Sequence, residues 1–484
     1  MSFFTAMRPG VVCPGGYGLQ FISGSDYKTF PLAHTSRMRA IFADGRDGYR
    51  MVATKTLHVR TLIIGGGITG LSTAYALEQR GYSDYLVLET QDHLGGLCAT
   101  THQDGYRFDY GGHLLHLHTP EGKKIVKQLL GANLQKHTRH AFIYTNGMRV
   151  PYPFQQNLWA LYPELRALCV DELKHLPATP FTPHNFEQWC LQSFGHGLYE
   201  AFFRPYNEKL WGCPLTELTC DWCGPFVPAP MRQNIIKSAQ KKPRQACGYN
   251  ATFYYPKTGG IGALIYALAK EITHVQTNTT LTRVDLAHKI AYTHNKQTIH
   301  FEHIVNTIPL PDFVNLLTAN APLKHKALLL KSQPITVYHM AIARPVPHFS
   351  WIYCPDQAQP FYRVGLQSGF ASDMTPNRSQ SLFYIELPGL VSQTPAMEQR
   401  IWQGLHQKGI IRQDDVKVFS AWQQIFHAYV LFNKQRAEVV PYLLDALEKK
   451  NIYCAGRYGR WEYSFMERSL LEGQQLASKL VKLV

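Results

Sequence analysis

The 484-residue sequence predicts an α/β fold, in which a Rossmann-like dinucleotide-binding domain carries a helical lobe and an antiparallel-sheet lobe. Three observations lead there. A strand, a glycine turn, a helix and a second strand follow one another between Val59 and Glu89. A stretch rich in Leu, Phe, Trp and Tyr, residues 155–245, reads mostly helical. Strands with the sequences ITVYHMAIA, FSWIYC, PFYRVGLQ and SLFYIEL then alternate within residues 331–435.

The first observation carries the most chemistry. The apolar run Leu62-Ile63-Ile64 feeds into Gly65-Gly66-Gly67, and a helical pattern with Ile68, Leu71 and Ala74 on one side follows. Gly65 suits a sharp turn off the strand, Gly67 a close approach of backbone to a pyrophosphate, and Gly70 close packing of helix on strand. The helix N-terminus offers unpaired N–H groups and a dipole that favours an anion. A second apolar run, Tyr85 to Leu88, ends on Glu89, roughly 20 residues on, where an acid accepts hydrogen bonds from a ribose. Gly95-Gly96 comes soon after that acid, and Tyr106 to His113 follows with Gly111-Gly112-His113 at its end.

The chain after His113 divides into further units. Residues 121–131 read as a helix, and Asn146-Gly147 between short alternating runs reads as a hairpin turn. Within the helical stretch, FFRPYNEKLWGCPLTEL (202–218) places Arg204 and Asn207 beside an aromatic segment. Such an Arg either snorkels from a core helix or faces an anion in a cleft. Arg363, flanked by Phe361 and Tyr362 in a strand, must face solvent or an anion. At the C-terminus, Asn451 to Cys454 reads as a strand running to Gly456-Arg457, and a helix is expected from Met466 to Leu483. Its N-terminus would stabilise negative charge nearby. The resulting division is 56–120 with 246–310 and 440–484 for the dinucleotide domain, 151–245 for the helical lobe, and 121–150 with 311–439 for the sheet lobe. Residues 1–55 have no clear period and are read as a disordered leader or an over-long start.

Composition narrows the partners. The net charge is +15, but no run of five Lys or Arg occurs, so the basic residues are spread and nucleic acid is not the expected partner. No apolar run reaches the roughly 18 residues of a membrane span. Ten cysteines in so long a chain do not make a disulfide scaffold. Cys220-x-x-Cys223, with Cys213 nearby, lacks a second pair at zinc spacing and is read as reduced thiols, with no metal site. A cytoplasmic location is expected.

A glycine pair soon after the ribose acid resembles FAD enzymes of the amine oxidase and protoporphyrinogen oxidase superfamily. Further blocks occur in one order: GGH (111–113), PYPFQ (151–155), FRPYNEKLW (203–211), NATFYYP with its glycines (250–262), WIYCPDQAQPFYR (351–363) and GRYGRWEY (456–463). Together they resemble the UDP-galactopyranose mutases, chiefly the eukaryotic-type branch. The resemblance implies FAD, bound through Gly65, Gly67, Gly70, Glu89, Gly95, Gly96, Gly456 and Arg457, active when reduced, with NADPH or NADH as reductant. It implies that His113 packs near flavin N5, that Arg204 and Arg363 clamp a nucleotide-sugar diphosphate, and that Phe154 and Gln155 hold the uracil. Tyr353, Tyr429, Asn207 and Tyr463 would complete the substrate site. The implied reaction interconverts pyranose and furanose forms of a UDP-sugar through an adduct on flavin N5. Two departures stand out: Phe226-Val227 replaces an Arg-Val pair, and Ser464 to Arg468 replaces an amide- and acid-rich tract. An FAD-dependent oxidase or dehydrogenase is the alternative reading, and a flavin-binding protein without turnover the third.

Overall fold

The computed structural model describes residues 55–177, 182–227, 231–242 and 250–483. The expected leader lies outside these residues, apart from Lys55. Strand β1 (Thr56–Ile64), helix α1 (Ile68–Glu78) and strand β2 (Tyr85–Leu88) open the described chain. Strands β3 (Ala141–Thr145) and β4 (Met148–Pro151) form the expected hairpin, with Asn146 at φ +48° and Gly147 at φ +73°. Helical segments follow, among them α2 (Arg204–Trp211), before the chain returns through β5 (Thr298–Asn306). Strands β6 (Ser332–Ile342), β7 (Trp351–Tyr353), β8 (Arg363–Leu366), β9 (Ser381–Pro388) and β10 (Lys417–Val430) come next. Strand β11 (Ile452–Cys454) and helix α3 (Met466–Val481) close it.

The first of two seven-stranded sheets has β1 at its centre, parallel to β2 on one side and to β5 on the other, with β11 parallel to β5. The last four residues of β1 and all of β2 are buried, as expected of parallel strands covered on both faces. Helix α1 buries nine of its eleven residues because it lies against α3 as well as the sheet. The Ser72 hydroxyl donates to the Leu470 carbonyl at 2.6 Å, and a Cβ on Gly473 would sit 2.8 Å from Ser72 Cβ. The glycine turn is equally tight: a Cβ on Gly70 would lie 2.0 Å from the Gly65 carbonyl oxygen.

The second sheet runs β10-β6-β9-β8-β7-β3-β4. The strands read from the sequence pair antiparallel there, but the sheet is mixed: β3 joins β7 in parallel, with Trp351 opposite Ala141. The β3–β4 hairpin arrives from far upstream and satisfies the open edge of β7, which leaves its direction free of hairpin geometry. A helix over Pro395–Gln407, unread in the sequence, covers one face with Ile401 and Leu405 against Tyr338, Phe361 and Phe383. Buried Asp109 accepts from Thr100 Oγ1 (2.6 Å), the Ile261 amide (3.3 Å) and the Tyr255 hydroxyl, tying the 259–262 glycine turn to the segment that leads to His113. No helix among the described residues is long and apolar enough to cross a membrane.

A Gly70→Ala substitution has no room to relax, because its neighbour is backbone. It should destabilise by about 1–3 kcal/mol and lower flavin retention, read as the melting temperature with and without added FAD.

Candidate active site

A cavity of about 480 Å³ is lined by Gly65, Gly67, Ile68, Thr69, Glu89, Gly95 and Gly96 from the first sheet and its turns. The backbone here is shaped to receive a phosphate. Gly65 has φ +102°, and nothing lies within 3.9 Å of where a Cβ on Gly67 would stand. Gly67 is also the N-cap of α1, so the open approach leads to the helix N-terminus. The Gly95 amide donates to the Gly66 carbonyl at 2.8 Å, which draws the second glycine turn onto the first. Glu89 accepts from the Gly66 amide at 2.7 Å and the Gln91 amide at 2.8 Å, so its carboxylate is fixed at the rim of the cavity. These residues fit a dinucleotide: an anion at the helix N-terminus and an oriented acid for a ribose.

The same cavity is lined by His113, Arg139, Tyr152, Trp351, Tyr353, Arg363, Tyr384, Glu386, Tyr429, Arg457, Tyr458 and Tyr463. Arg363 opens β8 and reaches Glu386 on β9 through two bonds, Nε to Oε2 at 2.8 Å and Nη2 to Oε1 at 2.7 Å. The charge that the sequence places in an aromatic strand therefore meets a carboxylate that is itself 1% exposed. Burial opposes the Arg363 charge, but Glu386 together with Tyr429, Tyr384 and Tyr362 outweighs it and raises the guanidinium pKa. Arg457 donates to the carbonyls of Ser464 (3.1 Å) and Ala428 (2.5 Å), lies 4.9 Å from the Tyr463 ring centroid, and keeps a buried Nε–H without a partner. Its neighbour Gly456 has φ +75° and donates to Glu472 at 2.8 Å. Buried Arg139 stacks 4.7 Å from the Tyr152 ring.

His113 is enclosed, and burial pushes its pKa down to about 4, with Arg457 and Arg363 adding to the effect against Glu386. It is a neutral imidazole at physiological pH, with Nδ1 unpartnered. Burial likewise raises the hydroxyl pKa of Tyr353 and Tyr429, so both stay protonated donors.

Six expected site residues do not line this cavity: Gly70 and Gly456 of the expected cofactor set, and Arg204, Asn207, Phe154 and Gln155. Arg204 has a side chain 44% exposed and pairs with Glu200 one turn earlier, Nε to Oε2 at 2.9 Å, so it faces solvent. Asn207 donates to the Phe203 carbonyl at 2.7 Å. Phe154 is fully buried, 5.1 Å from the Phe202 ring, and Gln155 is buried beside it. Residues present and unread include Arg139, Tyr152, Trp351, Tyr384, Glu386 and Tyr458. Glu386 carried a signal of its own, since a carboxylate in the apolar strand SLFYIEL needs a cation, and the strand register puts Arg363 opposite it. The departed C-terminal tract is divided: Ser464, Phe465 and Met466 line the cavity. Glu467 is buried and accepts from the amides of His118 and Thr119 at 2.8 Å each.

The sequence profile of the family described as Flavin containing amine oxidoreductase matches residues 68–481. The chain belongs to this family. Membership implies FAD, and the cradle above accommodates it. The fold is shared with reduced UDP-galactopyranose mutase, with a TM-score of 0.84 at 23% identity over 88% of this chain and 94% of that one. It is shared also with a putative protoporphyrinogen oxidase from Exiguobacterium sp. 255-15, with a TM-score of 0.69 at 17% identity over 88% and 99%. Among curated relatives, a probable UDP-galactopyranose mutase from Klebsiella pneumoniae is 28% identical over 166 residues, which span 32% of this chain and 42% of that protein. A phytoene desaturase from Fusarium fujikuroi is 45% identical over 73 residues, 15% of this chain and 12% of that protein.

Removing the cation from Glu386 with Arg363→Ala should cost about 3–5 kcal/mol, because a buried charge loses its partner. Arg204→Ala should stay within about 0.5 kcal/mol of the parent, as for an exposed pair. Urea unfolding of the two variants distinguishes them. Acid should also destabilise the fold through its buried histidines. His113, His116 and His339 are held down to about 4 by burial, so between about pH 6.5 and 4 the unfolded chain binds protons that the native one excludes. Asp109, pushed up to about 6 by burial, offsets one of the three. Stability should fall by about 1.4 kcal/mol per pH unit for each uncompensated histidine, as melting temperatures from pH 7 to 4.5 would record.

Proposed function

We propose that this chain is an FAD-dependent enzyme of the UDP-galactopyranose mutase type, interconverting pyranose and furanose forms of a UDP-sugar. The observation that carries the reading is the placement of Arg139, Arg363 and Arg457 with a set of tyrosines in the cavity that also holds the dinucleotide cradle. A guanidinium offers a planar fork to phosphate oxygens. Arg363 already spends two N–H groups on Glu386, so it presents one fixed edge to a diphosphate and does not wander.

Bound in the reduced form, FAD would supply the nucleophile for the anomeric carbon, with NADPH or NADH as the source of electrons. The residues do the rest. Arg363 and Arg457, the latter in the place expected of Arg204 rather than in the cofactor role the resemblance implies, hold the departing diphosphate close enough to return, which turns a two-molecule recombination into an intramolecular one. Tyr353, Tyr429 and Tyr463 donate hydroxyl protons to phosphate or sugar oxygens. His113 stays neutral beside the reaction centre and adds no charge that would compete for the diphosphate. Arg204, Asn207, Phe154 and Gln155 do not line the cavity and carry no step of this reading.

A second reading, an FAD-dependent oxidase or dehydrogenase, draws on Phe465 and Met466, which put apolar surface where polar groups would suit a sugar. The deciding experiment compares dithionite-reduced with oxidised protein on UDP-galactopyranose by chromatography. Furanose product in the reduced sample alone is the expected result. Absence of product, together with flavin bleaching by an amine or polyene, would replace the mutase reading with the oxidoreductase one.

A further inference from the structure

Lys209 lies on α2 in the helical lobe and is 8% exposed. Its ammonium donates to three backbone carbonyls: Cys354 at 3.3 Å, Asp356 at 2.7 Å and Phe361 at 2.7 Å. All three acceptors belong to the turn between β7 and β8. A lysine has three donors, and here each has an acceptor, which is what a buried ammonium requires. A second link runs the same way, from Gln357 Nε2 to the Pro205 carbonyl near the start of α2, at 3.0 Å. The turn is also fastened to the helix Pro395–Gln407 and the residue after it. Gln359 donates to Gln407 at 2.9 Å, and Lys408 Nζ meets Asp356 Oδ2 at 2.9 Å.

This turn joins the two strands that deliver substrate-facing residues. Strand β7 ends on Tyr353 and β8 begins on Arg363, and the two stand opposite each other in the antiparallel register. We propose that Lys209 is a positioning residue, which clasps the β7–β8 turn and thereby sets Tyr353 and Arg363 in the cavity. The proposal rests on the reading of the cavity as a nucleotide-sugar site only where UDP is used as the probe. It gives the helical lobe a role in the site although Arg204 and Asn207 do not line the cavity.

The clasp should respond to pH. Burial lowers the Lys209 pKa to about 8, against the opposing pull of Cys354 and Asp356, and Lys408 lowers it further. Burial pushes the Cys354 thiol up to about 12, and the Asp356 carboxyl is held down by its hydrogen bond from Lys408. Raising the pH through about 8 therefore removes the ammonium charge while the guanidinium of Arg363 keeps its own.

The test uses FAD-loaded protein, parent beside Lys209→Met and Lys209→Gln. Hydrogen exchange followed by mass spectrometry should show residues 353–363 exchanging at least about tenfold faster in Lys209→Met, with the first sheet unchanged and flavin retained. UDP affinity should fall about tenfold or more, since small misplacements of a binding group are costly. Lys209→Gln, which keeps two donors, should lie between. The parent should lose UDP affinity as pH rises from 7 to 9 by more than Lys209→Met does. If Lys209→Met does not fold, Lys209→Gln and the pH profile of the parent carry the test. Parent-like exchange at 353–363, or faster exchange spread evenly over the protein, would overturn the clasp, as would parallel pH profiles. A parent that does not bind UDP contradicts the proposed function instead, and leaves the exchange result to decide on Lys209.

Discussion

The site depends on the ion pair between Arg363 and Glu386. Two charges are removed from water here, and neither could be kept without the other. The pair also reaches across the fold. Glu386 Oε1 lies 3.4 Å from the Gly112 amide, and a Cβ on Gly111 would come within 2.7 Å of the same oxygen. A Cβ on Gly112 would meet the Tyr384 hydroxyl at 2.6 Å. The Gly-Gly before His113 is thus required by Tyr384 and Glu386 of β9, which press against it. Through these contacts the second sheet sets the height of the segment that presents His113, and the dinucleotide cradle and the arginine-lined surface become one cavity.

Electrostatics across that cavity are uneven in a useful way. The chain carries a net charge of +15 spread along its length, yet inside the cavity three guanidinium groups face a single deeply buried carboxylate and the rim acid Glu89. Its enclosed histidines, His113 and His116, are neutral because burial forbids their charge. The tyrosines keep their protons for the same reason. What remains is a surface that can bind an anion by fixed cations and neutral donors, with little of its own charge varying near neutral pH.

Legibility in the sequence followed the range of the interactions. The strand, glycine turn, helix and acid between Thr56 and Glu89 were readable because the turn, the β1–β2 pairing and the bond from the Gly66 amide to Glu89 are all made within a few dozen residues. The Asn146-Gly147 hairpin and the last helix were readable for the same reason. The parallel joining of β3 to β7 was not, because it needs residues 141–145 beside 351–353. Nor was the placement of Arg204. The sequence shows that α2 has an apolar side, and Tyr206, Leu210 and Trp211 are indeed buried, but it does not say which face meets a cavity. Arg363 was found because a charge in an aromatic strand is costly. Its partner escaped because the carboxylate and the arginine are joined only by register. Lys209 carried no signal at all, since a lysine on a helix ordinarily reaches solvent.

The central claim is that the cavity beside the dinucleotide cradle receives a nucleoside diphosphate on Arg363 and Arg457. A crystal structure of the reduced protein soaked with UDP tests it most directly. Diphosphate oxygens are expected within hydrogen-bonding distance of both guanidinium groups, with Arg363 still paired with Glu386 and Arg204 still on Glu200. UDP bound away from this cavity, or a cavity left empty at saturating UDP, would contradict it.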